Sequence, residues 1–312
     1  DFIQAFTVHS QRTNSFAHQL HGGRAASVFV AAAGLAVLLY TSRSAVAEKP
    51  HLDVVPAEVR LFPDDSQQLL VREASEYQQD VIDQVTLHSR DPEIATITAE
   101  GTVRARQPGQ TVIEIHWNRH TAEVPVIVGA SEQRPPLRFS SDIVPVLTKL
   151  GCNSGGCHGK ATGQGQFKLS LLGFDPHLDY LALVKEARGR RLFPSAPERS
   201  LLLLKATAQM PHGGGRRLNI LDDDYRVLKQ WVATGATGPD TAGALLERIE
   251  VTPQRQTLKP ESRHQLLVTA FYSNGESQDV TRRTLYQSNQ QELASVSKSG
   301  RIETTSQRGL FS

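Results

Sequence analysis

The 312-residue chain holds only two cysteines, one methionine and 6% aromatic residues. Two cysteines cannot form the multi-bridge framework that replaces a core in small secreted scaffolds. Net charge is nearly absent too: 34 Lys and Arg stand against 32 Asp and Glu. The small excess sits in the first 47 residues, where Arg12, Arg24 and Arg43 face only Asp1. A chain so balanced lacks the basic footprint by which nucleic acid is held, so no nucleic-acid partner is expected. Ser-His-Asp, P-loop, dinucleotide and paired-carboxylate motifs are also missing, and nothing in the sequence supports catalysis. What the chain does have is 39% hydrophobic residues over a length sufficient for two or three domains.

The longest apolar run, Ala25 to Tyr40, follows Arg24 and precedes the small-residue pattern Ala45-Val46-Ala47. This is the layout of a secretory signal peptide in an N-terminal region spanning 1–47. An uncleaved anchor is the alternative, because the run is barely long enough to span a bilayer. Either way the remainder is expected in the periplasm, outside the cell or on its surface. The chain begins with Asp, and its one methionine is Met210, which suggests a fragment or an uncertain start.

From 48 to 130, short β-rich runs alternate with turns: Leu52-Asp-Val-Val-Pro56, Gln68-Leu-Leu-Val-Arg72, Thr111 to Trp117, Glu123 to Val128. Strands at that spacing predict a β-sandwich. Residues 245–312 repeat the text. Ile249-Glu-Val-Thr-Pro253 answers Leu52-Asp-Val-Val-Pro56, Gln265-Leu-Leu-Val answers Gln68-Leu-Leu-Val, and Leu293 to Ile302 answers Ile94 to Val103. An internal repeat of this detail means two copies of one module. Both resemble the bacterial immunoglobulin-like group 2 domain, with its Val-x-Pro opening and the segment seen here at Ser273 to Thr281. The first copy departs from that segment at Tyr77-Gln-Gln-Asp-Val-Ile82. The second stops at Ser312, about a quarter of a domain short by comparison with the first, and is expected to expose an edge.

Between them, from 136 to 240, the periodicity turns helical. Ser140 or Ser141 is a candidate cap for a helix carrying Ile143, Val144, Leu147 and Leu150, which Gly151 ends. A second helix opens near Asp179 with Leu181, Leu183 and Val184. A third, about Asp222 to Ala233, presents Tyr225, Leu228, Trp231 and Val232 on one face. Linkers are expected at Gln133 to Pro136 and Thr237 to Gly243. The fold class is therefore multidomain: all-β immunoglobulin-like sandwiches flanking a small all-α domain.

The two cysteines fall in one motif, Cys152-Asn-Ser-Gly-Gly-Cys157-His158. It resembles the c-type haem attachment signature, lengthened by two residues between the sulfurs. Its surroundings resemble the planctomycete-type cytochrome c domain, through Phe139-Ser-Ser-Asp142-Ile-Val-Pro145-Val-Leu147, Pro197-Glu-Arg-Ser200-Leu-Leu and Leu228-Lys-Gln-Trp231-Val-Ala-Thr-Gly235-Ala. The resemblance implies one haem c per chain, with thioethers at Cys152 and Cys157, His158 as proximal iron ligand, and either Met210 or His212 as distal ligand. It also implies electron transfer or haem sensing with a redox partner protein, the immunoglobulin-like modules serving as spacers that make surface or matrix contacts. Glycine's conformational range suggests that Gly155 and Gly156 fold the extra loop length aside. Arg188, Arg190, Arg191, Arg216 and Arg217 are candidates for haem propionates. Two other readings stand: a Cys152–Cys157 disulfide in a haemless structural protein, or zinc on the thiols and His158 with His177 or His212.

Overall fold

A computed structural model of the chain describes residues 4–7, 52–75, 77–239 and 244–312. The apolar run 25–40 and Ala45-Val46-Ala47 lie outside the described residues. Among the described residues no helix is long and apolar enough to cross a membrane.

Strict alternation of apolar residues drives the first sandwich. In the strand Gly109–Trp117, Thr111, Ile113 and Ile115 are buried while Gln110 and His116 face outward. It pairs antiparallel with His120–Val128, which buries Val124, Val126 and Val128. Val59–Leu61 and Thr86–Ser89 complete that four-stranded sheet. The opposing layer comprises Leu52–Val55 with Leu70–Glu73, and Ser66–Gln68 with Thr102–Ala105 and Ala95–Ile97. Leu69, Val71, Val103, Ile113 and Val126 meet between the layers.

The repeat is built alike. Leu246–Thr252, Leu267–Tyr272 and Ser277–Asp279 form one sheet, and Arg263–Gln265, Arg301–Thr304 and Ala294–Val296 another. Both copies carry a cis proline at the same place, Val55–Pro56 and Thr252–Pro253. The edge expected to be bare has a neighbour: Gln4–Thr7 pairs antiparallel with Arg255–Leu258 and parallel with Leu310–Phe311.

The two copies do not flank the helical part as spacers in a row; they meet each other across a local pseudo-two-fold. The Gln68 backbone N–H donates to Asp279 Oδ2 at 2.6 Å, and the matching Gln265 N–H donates to Asp80 Oδ2 at 2.7 Å. Each carboxylate's other oxygen accepts from its own chain two residues on, from Thr281 N and Ile82 N, both at 2.8 Å. The Gln68 and Gln265 side-chain amides each reach two carbonyls of their own copy, at 2.7 to 3.0 Å. At the periphery Arg301 grips Asp83 at 2.6 Å, and Arg282 reaches Thr102 Oγ1 at 2.6 Å. Burial raises the Asp80 and Asp279 pKa values above the ordinary aspartate range, against the opposing pull of those N–H donors.

The helical part packs against both copies. Arg104 of the first pairs with Asp223 at 2.9 Å, and Arg283 of the second pairs with the buried Asp142 at 2.6 Å. Arg138 lies over the Tyr272 ring, 4.3 Å from its centroid. Helical segments here are few and short, the longest being Asp223–Ala233. A wide π-type turn, Phe139–Ile143, runs into Val144–Lys149. Pro176–Tyr180 continues into Leu181–Lys185, and Leu201–Ala206 follows. Phe139, Leu147, Leu203, Leu228 and Trp231 fill the core. Trp231 donates its indole N–H to Thr237 O at 2.9 Å and packs 5.4 Å from Phe139, so it is a core residue.

Candidate functional site

The helix ending at Lys149 stops because Gly151 takes a left-handed conformation, φ 73°. The chain then coils into a tight loop. Cys157 N and Gly159 N donate to Ser154 O, each at 3.0 Å, and His158 N donates to Cys152 O at 3.0 Å. Gly155 and Gly156 keep negative φ, contrary to the role expected of them, and side chains there would meet nothing closer than 3.8 Å. The indispensable glycine is Gly159, where a Cβ would fall 2.0 Å from Asn153 O. Extra loop length is thus absorbed by ordinary turns, and closure depends on the residue after the histidine.

Cys152, Cys157, His158 and His212 all line one cavity of about 390 Å³. Leu147, Phe167, Leu169, Leu183, Leu201 and Leu202 make its apolar wall. Arg190, Arg191, Arg217 and Lys205 stand around it; Arg188 and Arg216 are not in the lining. That size and mixture suit a largely apolar ligand oriented by a few polar groups. Both cysteines are free thiols. Burial pushes the Cys152 thiol up to about 11, with Arg217 opposing, and Arg217 Nη2 lies 3.7 Å from Cys157 Sγ.

His158 is held by three contacts, two to its ring and one to its backbone. Its Nδ1 faces Phe167 O at 3.0 Å, its backbone carbonyl accepts from Leu169 N at 2.8 Å, and its ring packs 4.5 Å from Phe167. Burial pushes its pKa below the usual histidine range, and the nearby His212 adds to that, so the neutral ring is favoured. Arg191 supports this arrangement from behind. It is buried, donates to Ala182 O at 2.8 Å and Gln166 O at 3.1 Å, and sits over the Phe167 ring. Those bonds make it a brace for the cavity floor, although the sequence offered it for propionates.

His212 Nδ1 faces Gly215 O at 2.9 Å. Its ring centroid is 6.2 Å from that of His158, with the planes 13° apart. Met210, by contrast, lies outside the cavity lining with its side chain exposed. His177 is exposed on its helix and also absent from the lining. Among the described residues no three His, Cys, Asp or Glu side chains converge as an all-protein metal site requires. Lys205, Gln164 and Phe167 were not among the residues expected from the sequence; the Phe167 carbonyl that faces His158 leaves no trace in residue type, and its ring adds to the wall.

Comparison with known proteins bears on the first sandwich, where residues 50–128 match the family described as bacterial Ig-like domain (group 2). The match lies outside the segment holding the cavity. No curated protein matches the chain. Solved structures with similarity include domains 4 and 5 of the S-layer protein SbsC, 24% identical over 25% of this chain and 51% of that one, TM-score 0.23. A longer SbsC structure, rSbsC(31-844), is 22% identical over 28% and 14%, TM-score 0.25. A bacterial Ig-like domain-containing GH10 xylanase from termite gut is 19% identical over 27% and 22%, TM-score 0.20. This chain therefore spans about half or less of each, and these partial overlaps leave the cavity unaddressed.

Proposed function

We propose that the chain is an exported c-type haem-binding protein, its central segment working as an electron-transfer or haem-sensing module carried by two Ig-like repeats. The observation that carries the reading is that Cys152, Cys157, His158 and His212 all line one largely apolar cavity. A flat, mainly apolar macrocycle with iron at its centre fits these residues. The leucines and Phe167 would cover its faces, the imidazoles of His158 and His212 offer ring nitrogens, and Arg190 and Lys205 at the margin match peripheral carboxylates. Each thiol would add its S–H across one vinyl group, sulfur to one carbon and hydrogen to the other, with nothing released and no oxidant needed. Bound there, haem would supply one-electron chemistry. The chain's own part is to hold the ring nitrogens, exclude water with the leucine wall, and brace the His158 loop through Arg191. A redox protein is the expected partner, and the Ig-like repeats offer surface or matrix contacts.

The test is the absorption spectrum and pyridine haemochrome of the full chain, exported in a host with c-type maturation machinery. A c-type α band surviving denaturation is expected. A colourless, folded chain would defeat the reading and favour the second one, a haemless structural surface protein. That second reading draws on the Ig-like match at 50–128 and on the bonding of all three parts into one body.

A further inference from the structure

We propose that His212, and not Met210, is the second axial ligand of this site, so that iron would be held between two imidazoles. The inference rests on the haem reading above. Two imidazoles bound through nitrogen to opposite sides of one transition-metal ion, at the usual metal–nitrogen length, hold their centroids about 6 Å apart. The His158 and His212 centroids are 6.2 Å apart, with planes 13° from parallel. The spacing between them matches one bridging metal.

Both rings are also set in the same electronic state. Each Nδ1 faces a backbone carbonyl, Phe167 O or Gly215 O, which can only accept, so Nδ1 is the donating nitrogen and Nε2 is the one left for a metal. A metal-ligating histidine is normally fixed in this way by the hydrogen bond of its other nitrogen. The loop carrying His212 is held in turn: Lys205 Nζ donates to Pro211 O at 3.0 Å, Gly215 N to His212 O at 2.9 Å, and Arg217 Nε to Gly214 O at 2.8 Å. A Cβ on Gly214 would press to 3.0 Å from His212 Cε1, so glycine there lets the backbone close behind the ring. Met210 is tied elsewhere, its N–H donating to Leu204 O at 3.1 Å and its side chain exposed.

Two protein ligands would leave no coordination position open for oxygen or peroxide, which makes the site an electron carrier. Imidazole in place of a thioether also lowers the reduction potential, since methionine ligation raises it. The test uses the full chain, matured with haem, as wild type, Met210→Leu and His212→Ala, read by electron paramagnetic resonance, near-infrared magnetic circular dichroism and potentiometry. Wild type and Met210→Leu should share one low-spin bis-imidazole signature and one potential. His212→Ala should turn high-spin and regain the low-spin signature when imidazole is added. A haem-bearing His212→Ala that stays low-spin, or a Met210→Leu that loses the low-spin signature, overturns the ligand assignment while leaving the haem reading intact. A wild type without covalent haem defeats the earlier reading. The haem-free chain then decides the pair: hemin uptake lost in His212→Ala, with ¹⁵N shifts showing Nδ1–H at both rings, supports it, and no uptake or an Nε2–H tautomer at His212 overturns it.

Discussion

Acid should weaken the second sandwich through His264. This residue sits in the strand Arg263–Gln265, is 5% exposed, and has Nε2 3.1 Å from Ser262 Oγ. Burial drives its pKa from 6.5 down to about 4, and the charges of Arg301 and Lys259 push the same way. A folded-state value below the unfolded one stabilises the fold above the unfolded pKa, and that stability is lost as pH falls toward the folded pKa. At roughly 1.4 kcal/mol per unit, the shift corresponds to about 3 kcal/mol, most of it lost between pH 6.5 and 4. Other groups move oppositely: the raised pKa values of the buried Asp80 and Asp279 favour their protonated forms and add stability on acidification. A difference of differences isolates the histidine. Hydrogen exchange of amides 263–304 in the full chain should show wild type losing about 2–3 kcal/mol more than His264→Gln between pH 7 and 4.5. Equal losses in the two proteins would refute the argument.

Removing both thiols, Cys152→Ala with Cys157→Ala, should abolish haem that survives denaturation; retained haem staining after acid–acetone extraction would sink the attachment claim. Gly159→Ala cannot be accommodated with Asn153 O 2.0 Å from the new Cβ, so haem incorporation should fall at least tenfold while a Gly156→Ala control, which meets nothing, matches wild type. Asp279→Ala strands the Gln68 N–H and should cost about 1–3 kcal/mol at the junction of the two repeats. Faster exchange of the Gln68 amide would report it, and an unchanged rate would contradict the hydrogen bond. Arg283→Ala leaves the buried Asp142 carboxylate with Arg138 alone, its N–H at 2.7 Å and its guanidinium at 3.8 Å, and should cost about 1–3 kcal/mol in the docking of the helical part; a thermal midpoint equal to wild type would count against that contact.

The sheets were legible where burial is periodic. Thr111, Ile113 and Ile115 alternate with outward residues, and Gly151 and the Asp223–Ala233 face announce themselves through capping and helical spacing. Leu201–Ala206 did not, because four successive leucines carry no period. The segment Tyr77-Gln-Gln-Asp-Val-Ile82 looked like a departure from the repeat, yet Asp80 does in the first copy what Asp279 does in the second. Its partners are backbone amides, which every residue supplies, so no residue type betrayed the pairing. The cavity was readable only through Cys152, Cys157, His158 and His212. Which of Met210 and His212 borders the cavity depends on the path of the chain after Leu204, which leaves Met210 exposed and His212 in the lining.

The two-fold between the repeats carries a further consequence because both halves belong to one polypeptide. Partners joined by a tether meet at a high effective concentration, so their association does not fade on dilution as a dimer's would. A homodimer must also carry every change twice, once on each side of its axis. Here the sides have diverged: Asp83 holds Arg301 across one, while Arg282 meets Thr102 across the other. The arginine next to Arg282 is Arg283, which reaches Asp142 beneath the helical part. Tandem linkage has let the two halves of a symmetric junction hold a third unit through different residues, Arg104 on one and Arg283 on the other.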